Sequence, residues 1–139
     1  MNLAIITLQL EGKCTVSAIS KRMQDLLRQM ESTTPGIEAS AIVTAQGLPI
    51  VAAMPQAVNE AIVAAMTAAL LGVAERALTE IPRGKLLQIT VEAENGYIIL
   101  KGAGPNAILT VLVKKSANLG MVFLVMKRFA NEIETILAA

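Results

Sequence analysis

The chain has no histidine and no tryptophan among its 139 residues, and only one cysteine, one tyrosine and two phenylalanines. Lacking histidine, it lacks the commonest general base and the commonest metal ligand, which counts against Ser-His-Asp hydrolysis, against a zinc centre, and against enzymatic function in general. A single cysteine, Cys14, excludes an intramolecular disulfide, fits a reducing compartment and reads as a buried thiol. Few aromatics leave little with which to line a small-molecule pocket or stack nucleic-acid bases.

Charge of either sign is also scarce and evenly spread. Twelve basic and eleven acidic residues give a net charge of +1, and no basic cluster exceeds Lys114-Lys115. Phosphate neutralisation needs many clustered cations, so nucleic acid is not an expected partner. The amino end, MNLAIITLQL, lacks a basic leader and a small-residue cleavage motif, so it does not read as a signal peptide. A bilayer takes about 20 apolar residues to cross. The longest uncharged run within the most apolar segment, Ala61 to Ala74, has fourteen. No membrane span is expected, and the reading is a cytoplasmic protein.

What the chain does have is aliphatic surface. Hydrophobic residues make up 54% of it, seven of them Met, above the roughly 45–50% usual for soluble domains. A chain this short has a high ratio of surface to volume, so such an excess implies burial against another chain.

Without a low-complexity linker or a repeat, one domain over residues 15–139 is expected, preceded by a 1–14 extension whose residues 3–10 read as a strand. Thr15 or Ser17 caps a helix with Val16, Ile19, Met23, Leu26, Leu27 and Met30 on one face. After the TTPG break, Ile37 to Val43 and LPIVAAM form a hairpin around Ala45-Gln46-Gly47, with glycine where a positive φ is needed. Pro55 opens a long helix over about residues 56–80. Then Leu87, Ile89, Val91 and Ala93 alternate with polar neighbours as a half-buried strand. Asn95-Gly96 signals a tight hairpin, Tyr97–Lys101 returns, and Ala107–Val113 makes a further strand. Asn118 caps a last helix with Val122, Met126, Phe129, Ile133 and Leu137 in a stripe. The order helix, hairpin, helix, three-strand meander, helix defines an α+β fold in which helices sandwich a five-stranded antiparallel sheet.

The long middle helix is apolar nearly all round. Ile62, Met66, Ala69, Leu70 and Val73 make one stripe, while Ala61, Ala64, Ala65, Ala68, Leu71 and Gly72 occupy much of the rest. A sheet covers one side only, and the other two helices are one-faced amphipaths. The expected cover for the second side is the same helix from another copy, with small residues allowing close approach. Burying each large side chain contributes about 1.5–3 kcal/mol, so a few per subunit offset much of the cost of association.

Motifs of chemistry are absent or broken. Gly12-Lys13-Cys14-Thr15 ends like a phosphate loop, but Thr7 stands where that loop needs glycine and Cys14 where it needs serine or threonine. Gly102 to Pro105 joins two strands and precedes no helix that could hold an anion. Glu92 and Glu94 share a strand face and read as solubilising charges rather than as a catalytic pair. The chain is expected to bind no cofactor and no metal.

The segments GIEASAIVTAQGLPIVAAMP, ITVEAENGYIILKGAG, AILTVLV and ANLGMVFLVMKR, in that order and spacing, resemble the roadblock / dynein light-chain family across about residues 16–137. The most specific pieces are Gly47 to Val51, Glu94 to Tyr97 and Ala117 to Gly120. The resemblance implies a roadblock/longin-like fold and a non-enzymatic homodimer, or a heterodimer with a paralogous roadblock chain, whose sheets join edge to edge and whose middle helices pair. It implies a dimer interface on Ile62, Met66, Ala69, Leu70, Val73, Leu87, Ile89 and Val91. It further implies a small Ras-like GTPase as partner, of the kind served by gliding-motility regulators, meeting the paired helices near Asn59, Glu75, Arg76 and Thr79. Of the arginines, Arg83 in the IPRGK loop is the most mobile-looking candidate for insertion into a GTPase site, although a solvated loop charge is the plainer reading.

The leading expectation is a dimeric adaptor or regulator of such a GTPase, with a GTPase-activating or positioning role. The alternative is a structural light-chain or scaffold subunit without nucleotide sensitivity. A small-molecule sensor is a third reading, disfavoured because few buried polar groups are available to converge on a ligand.

Overall fold

A computed structural model of the chain describes the backbone of residues 3–138 and the side chains from Ala18 to Ala138. Three helices and five strands follow in the order α1 (Leu3–Thr33), β1 (Ile37–Thr44), β2 (Pro49–Ala53), α2 (Glu60–Glu80), β3 (Gln88–Ala93), β4 (Gly96–Gly102), β5 (Ala107–Lys114) and α3 (Leu119–Ala138). All strand pairs are antiparallel, in the order β2-β1-β5-β4-β3. The first hairpin and the meander are thus joined through β1 and β5, and β2 and β3 form the two edges.

Two apolar cores lie on opposite faces. Met23, Leu27 and Met30 of α1 and Val122, Met126, Phe129 and Ile133 of α3 cover one face, over Ile42, Ile99, Leu109 and Val111. On the other face α2 covers Ala41, Val43, Leu100 and Ile108 through Ala64, Leu70 and Leu71. Alternation along the strands sorts these residues between the faces, as a pleat of period two requires. One polar pair crosses the second interface: the Thr67 hydroxyl donates to Val63 O at 2.8 Å and lies 3.1 Å from the Thr110 hydroxyl. Both threonines are buried, so each hydroxyl needs the partner it has.

Three local expectations are corrected. Residues 3–10 are not a strand: α1 begins at Leu3 and runs 31 residues without interruption. Thr15 and Ser17 therefore lie inside the helix and do not cap it. Adding residues to an existing helix gains one backbone bond each without a new nucleus, and a lone Gly12 costs only about 1 kcal/mol. Val16 and Cys14 fall outside the described side chains, so the buried-thiol reading lies outside them too.

Secondly, Pro55 does not open α2. Residues 55–58 turn, with the Val58 N–H donating to Pro55 O at 3.0 Å, and the helix starts at Glu60. Asn59 is the better cap: extended at φ −82 and ψ 109, its side chain accepts the Ile62 N–H at 3.1 Å, and Glu60 adds a negative charge at the positive end of the helix dipole.

Thirdly, the meander's first turn is centred on Glu94 and Asn95, because Ala93 already pairs with Gly96. Gly96 serves another purpose. A Cβ there would come 2.6 Å from Val113 O, so glycine permits the close approach of β4 to β5.

Other expectations hold. Asn118 caps α3, accepting the Met121 N–H at 3.2 Å. Gly47 takes φ +95 in the first hairpin, where a Cβ would lie 3.3 Å from Ala68 Cβ, so the loop rests directly on α2.

Candidate functional site: the outer face of α2 and the β3 edge

The side of α2 turned away from the sheet carries large apolar side chains in water. Ile62 is 55% exposed, Met66 48% and Val73 71%. Ala61, Ala65, Ala69 and Gly72 fill the spaces between them and are exposed as well. Gly72 meets nothing within 4 Å of where a Cβ would be. The expected stripe is thus present, with one refinement: Leu70 is half-buried and packs toward the sheet, at the flank of the outer face. Past the end of α2 the apolar surface continues onto β3, where Leu87, just before the strand, is 71% exposed. Ile89 and Val91 are half-buried.

By length and composition α2 could cross a membrane, with a mean hydropathy of 1.6 over its most apolar stretch, a property the count of uncharged residues did not bring out. Its inner side, however, carries Ala64, Leu70, Leu71 and the Thr67–Thr110 pair, which hold it to the sheet.

The two sheet edges are not equivalent. The Thr44 N–H donates to Leu48 O and the Ala45 N–H to Asn106 O, so in β1 the even-numbered residues turn their backbone groups toward β2. Ala52, opposite Ala41, therefore points its own groups out of the sheet. Its carbonyl accepts the Gln24 side-chain N–H of α1 at 2.6 Å. Pro49 offers no N–H, and the strand ends before Pro55. This edge is blunted by devices natural sheets use against further pairing.

At the opposite edge, the Ala103 N–H donates to Ala107 O, which turns the odd-numbered residues of β4 to β5 and the even-numbered ones to β3. Ile89, Val91 and Ala93, opposite Leu100, Ile98 and Gly96, satisfy their backbone groups inward. Gln88, Thr90 and Glu92 turn theirs outward. No proline or bulge interrupts them, and β3 is an open edge.

Glu92 is not a free charge. Lys115 Nζ lies 2.6 Å from its carboxylate, 3.3 Å from Ala93 O and 4.6 Å from the centre of the Tyr97 ring. The bond to Glu92 raises the Lys115 pKa above its ordinary value. The cluster ties the β3–β4 turn to the end of β5. Glu94 sits in the turn itself, so the expected pair of strand-face carboxylates is replaced by one ion pair and one turn residue.

The residues implied for GTPase contact do not converge within one chain. Asn59 caps the amino end of α2, while Glu75, Arg76 and Thr79 stand near the other end, about 24 Å or more along the axis. All four are exposed, with the Thr79 hydroxyl donating to Glu75 O at 3.1 Å. Arg83 is an exposed loop residue just beyond α2. Beside that loop a groove of about 900 Å³ runs around the end of the sheet, bounded by Leu78, Leu87, Lys101, Lys127 and Glu134 among others. Among the described residues no three acidic or cysteine side chains cluster as a metal site would require.

The geometry is that of a domain with an exposed apolar helix face and an open sheet edge. The Roadblock/LC7 domain family matches residues 23–113, and the chain belongs to that family, whose members are regulatory and adaptor proteins rather than typical enzymes. Two proteins of Methanocaldococcus jannaschii, MJ0310 and MJ1340, are each 40% identical over 101 residues, 73% of this chain and 88% of the relative. Among solved structures, Myxococcus xanthus MglB has a TM-score of 0.80 at 17% identity, covering 86% of this chain and 90% of that one. A Roadblock/LC7 domain from Streptomyces avermitilis has a TM-score of 0.79, also at 17% identity, with 84% and 98% covered. At these identities the structures establish the shared fold.

Proposed function

We propose that the chain is a non-enzymatic, dimeric adaptor or regulator that binds a small Ras-like GTPase in the cytoplasm. The observation that carries the dimer is the exposed apolar face of α2 continuing onto an open sheet edge, while the other edge is blunted. A large apolar patch beside free strand hydrogen bonds is costly to leave in water, and a second protomer, either identical or a paralogous roadblock chain, covers both at once. Membership of the Roadblock/LC7 family and the likeness to MglB support the regulatory reading and the GTPase as partner.

In this reading the GTPase meets the paired middle helices around Asn59, Glu75, Arg76 and Thr79. Acceleration of hydrolysis, where it occurs, comes from ordering the GTPase's own catalytic groups, because the chain offers only Arg76, Arg83 and a few other arginines as cations to insert.

The test is retention of small GTPases on the immobilised chain, loaded in parallel with GDP and with a non-hydrolysable GTP analogue. A GTPase held in one nucleotide state only is the expected result, to be followed by turnover assays. Equal retention in both states, or none, overturns the regulator and leaves the scaffold subunit.

A further inference from the structure

A helix that lies flat on a sheet buries its inner stripe from end to end, and α2 does so over only half its 21 residues. Ala64, Thr67, Leu71, Ala74 and Leu78 follow one another at intervals of three and four and share that stripe. Ala64 and Thr67 are the buried residues of the helix, whereas Leu71, Ala74 and Leu78 are only half-buried. Short side chains and the Thr67–Thr110 contact hold the amino half close to β5. The longer leucines hold the carboxyl half off the sheet.

That seam opens into the groove of about 900 Å³ around the sheet end, and the pleat sorts the polarity of its lining. Leu100 and Ile108 are even-numbered and face α2, and with Ile89, Leu71 and Leu78 they make one part of it apolar. Lys101 is odd-numbered and lies on the face that α3 covers. With Lys127 of α3 and Lys85 of the loop after α2, it makes the other part cationic.

Among the described residues the ion pairs are Lys115–Glu92 and Arg128–Glu132, so none of these three lysines has a carboxylate within salt-bridge distance. Glu75 and Glu134 also border the groove, which leaves one positive charge in excess. Gly102 adds a donor. Its backbone groups turn toward β3, but the pairing of β3 with β4 begins at Gln88 and Lys101, so the Gly102 N–H has no strand residue across from it. A Cβ at Gly102 would meet nothing within 4 Å, and the space before that N–H is open.

We propose that the seam under the carboxyl half of α2 binds an aliphatic monocarboxylate, its chain among Leu71, Leu78, Ile89, Leu100 and Ile108 and its carboxylate at Lys101, Lys127 and the Gly102 N–H. An aliphatic chain completes the burial of Leu71 and Leu78 that the sheet leaves unfinished. It needs neither aromatics nor converging polar groups, so the scarcity of both, which counts against a polar cofactor, does not count against it. A head of one negative charge matches the one positive charge in excess, which a polyphosphate would exceed. The groove curves between helix and strands around the sheet end and admits a single chain rather than a bilayer surface. Because the site lies on the inner side of α2, apart from the outer face, it stands whether or not the chain dimerises or binds a GTPase.

The experiment titrates octanoate, decanoate and dodecanoate, each below its micellar concentration, into the full chain by calorimetry, with amide chemical shifts recorded in parallel. Saturation at one ligand per chain is expected, with affinity rising about fourfold per added methylene and shifts confined to residues 71–78, 88–89 and 100–102. The K101Q/K127Q chain, altered only at half-buried and exposed positions, is expected to bind decanoate at least about tenfold more weakly and to bind decanol as the parent does. Circular dichroism confirms that it is folded. No saturable binding, an affinity independent of chain length, or shifts centred on Ile62, Met66 and Val73 of the outer face overturns the site. Unchanged decanoate binding by K101Q/K127Q, or loss of decanol along with decanoate, overturns the placing of the carboxylate at the lysines.

Discussion

Glu31 illustrates how far a single residue departs from what its letter implies. It stands in the last turns of α1, beside Arg28 and across from Glu38 of β1, in a recess against Met54 and Pro55. Burial raises its pKa from 4.5 to about 7, and Arg28 only partly opposes the shift. The folded chain therefore holds a proton that the unfolded chain releases above about pH 4.5. The stabilising term is fully present below that pH and is lost as pH rises through about 7. Because the group is only partly buried, solvent screening reduces it to the order of 1 kcal/mol. Glu31→Gln stays neutral, so its urea midpoint should exceed the parent's at pH 8 and match it at pH 5. A variant less stable than the parent at pH 8 would show that the carboxylate is favourably paired there. Nothing in the sequence around Glu31 signals this, since the shift comes from β1 and the segment after β2.

Among the elements, α2 was the most legible because its anomaly is compositional: a run apolar on all sides has only one sheet to lie on. Its inner and outer faces follow from period 3.6 alone. Where it begins was less legible, because Pro55 and Asn59 are both starting residues and the choice depends on the turn between them. The amino half of α1 reads as a strand in the sequence, since Leu-Ala-Ile-Ile suits strand or helix, and it is helical because it extends a helix already nucleated by the residues that follow it. The asymmetry of the sheet edges was not legible at all, for it depends on hydrogen-bond parity and on Gln24, a residue of another element. Ala68 and Ala69 separate the two faces of α2 experimentally. Ala69 is exposed and Ala68 lies under Gly47. Ala69→Arg should leave the fold intact by circular dichroism and halve the solution mass, while Ala68→Arg should disturb the first hairpin and destabilise the chain. Unchanged mass for Ala69→Arg would remove α2 from the interface.

Taken as a whole, the molecule divides its apolar surplus among two interior cores, the outer face of α2 with Leu87, and further exposed side chains that include Met121 and Leu124 of α3, and the outer face of α2 makes its stability a matter of concentration. If folding and association are linked, as the exposure of Ile62, Met66, Val73 and Leu87 leads one to expect, then each tenfold rise in protein concentration favours the dimer by about 1.4 kcal/mol over two unfolded chains. For a unit of this size that corresponds to roughly 2–4 °C in Tm. Calorimetry of the parent chain across two decades of concentration should therefore show an upward drift of that order per decade, and Ala69→Arg should show none, with a lower Tm throughout. A parent Tm independent of concentration would mean that the two cores alone carry the fold. The face of α2 would then be kept apolar for a partner other than this chain.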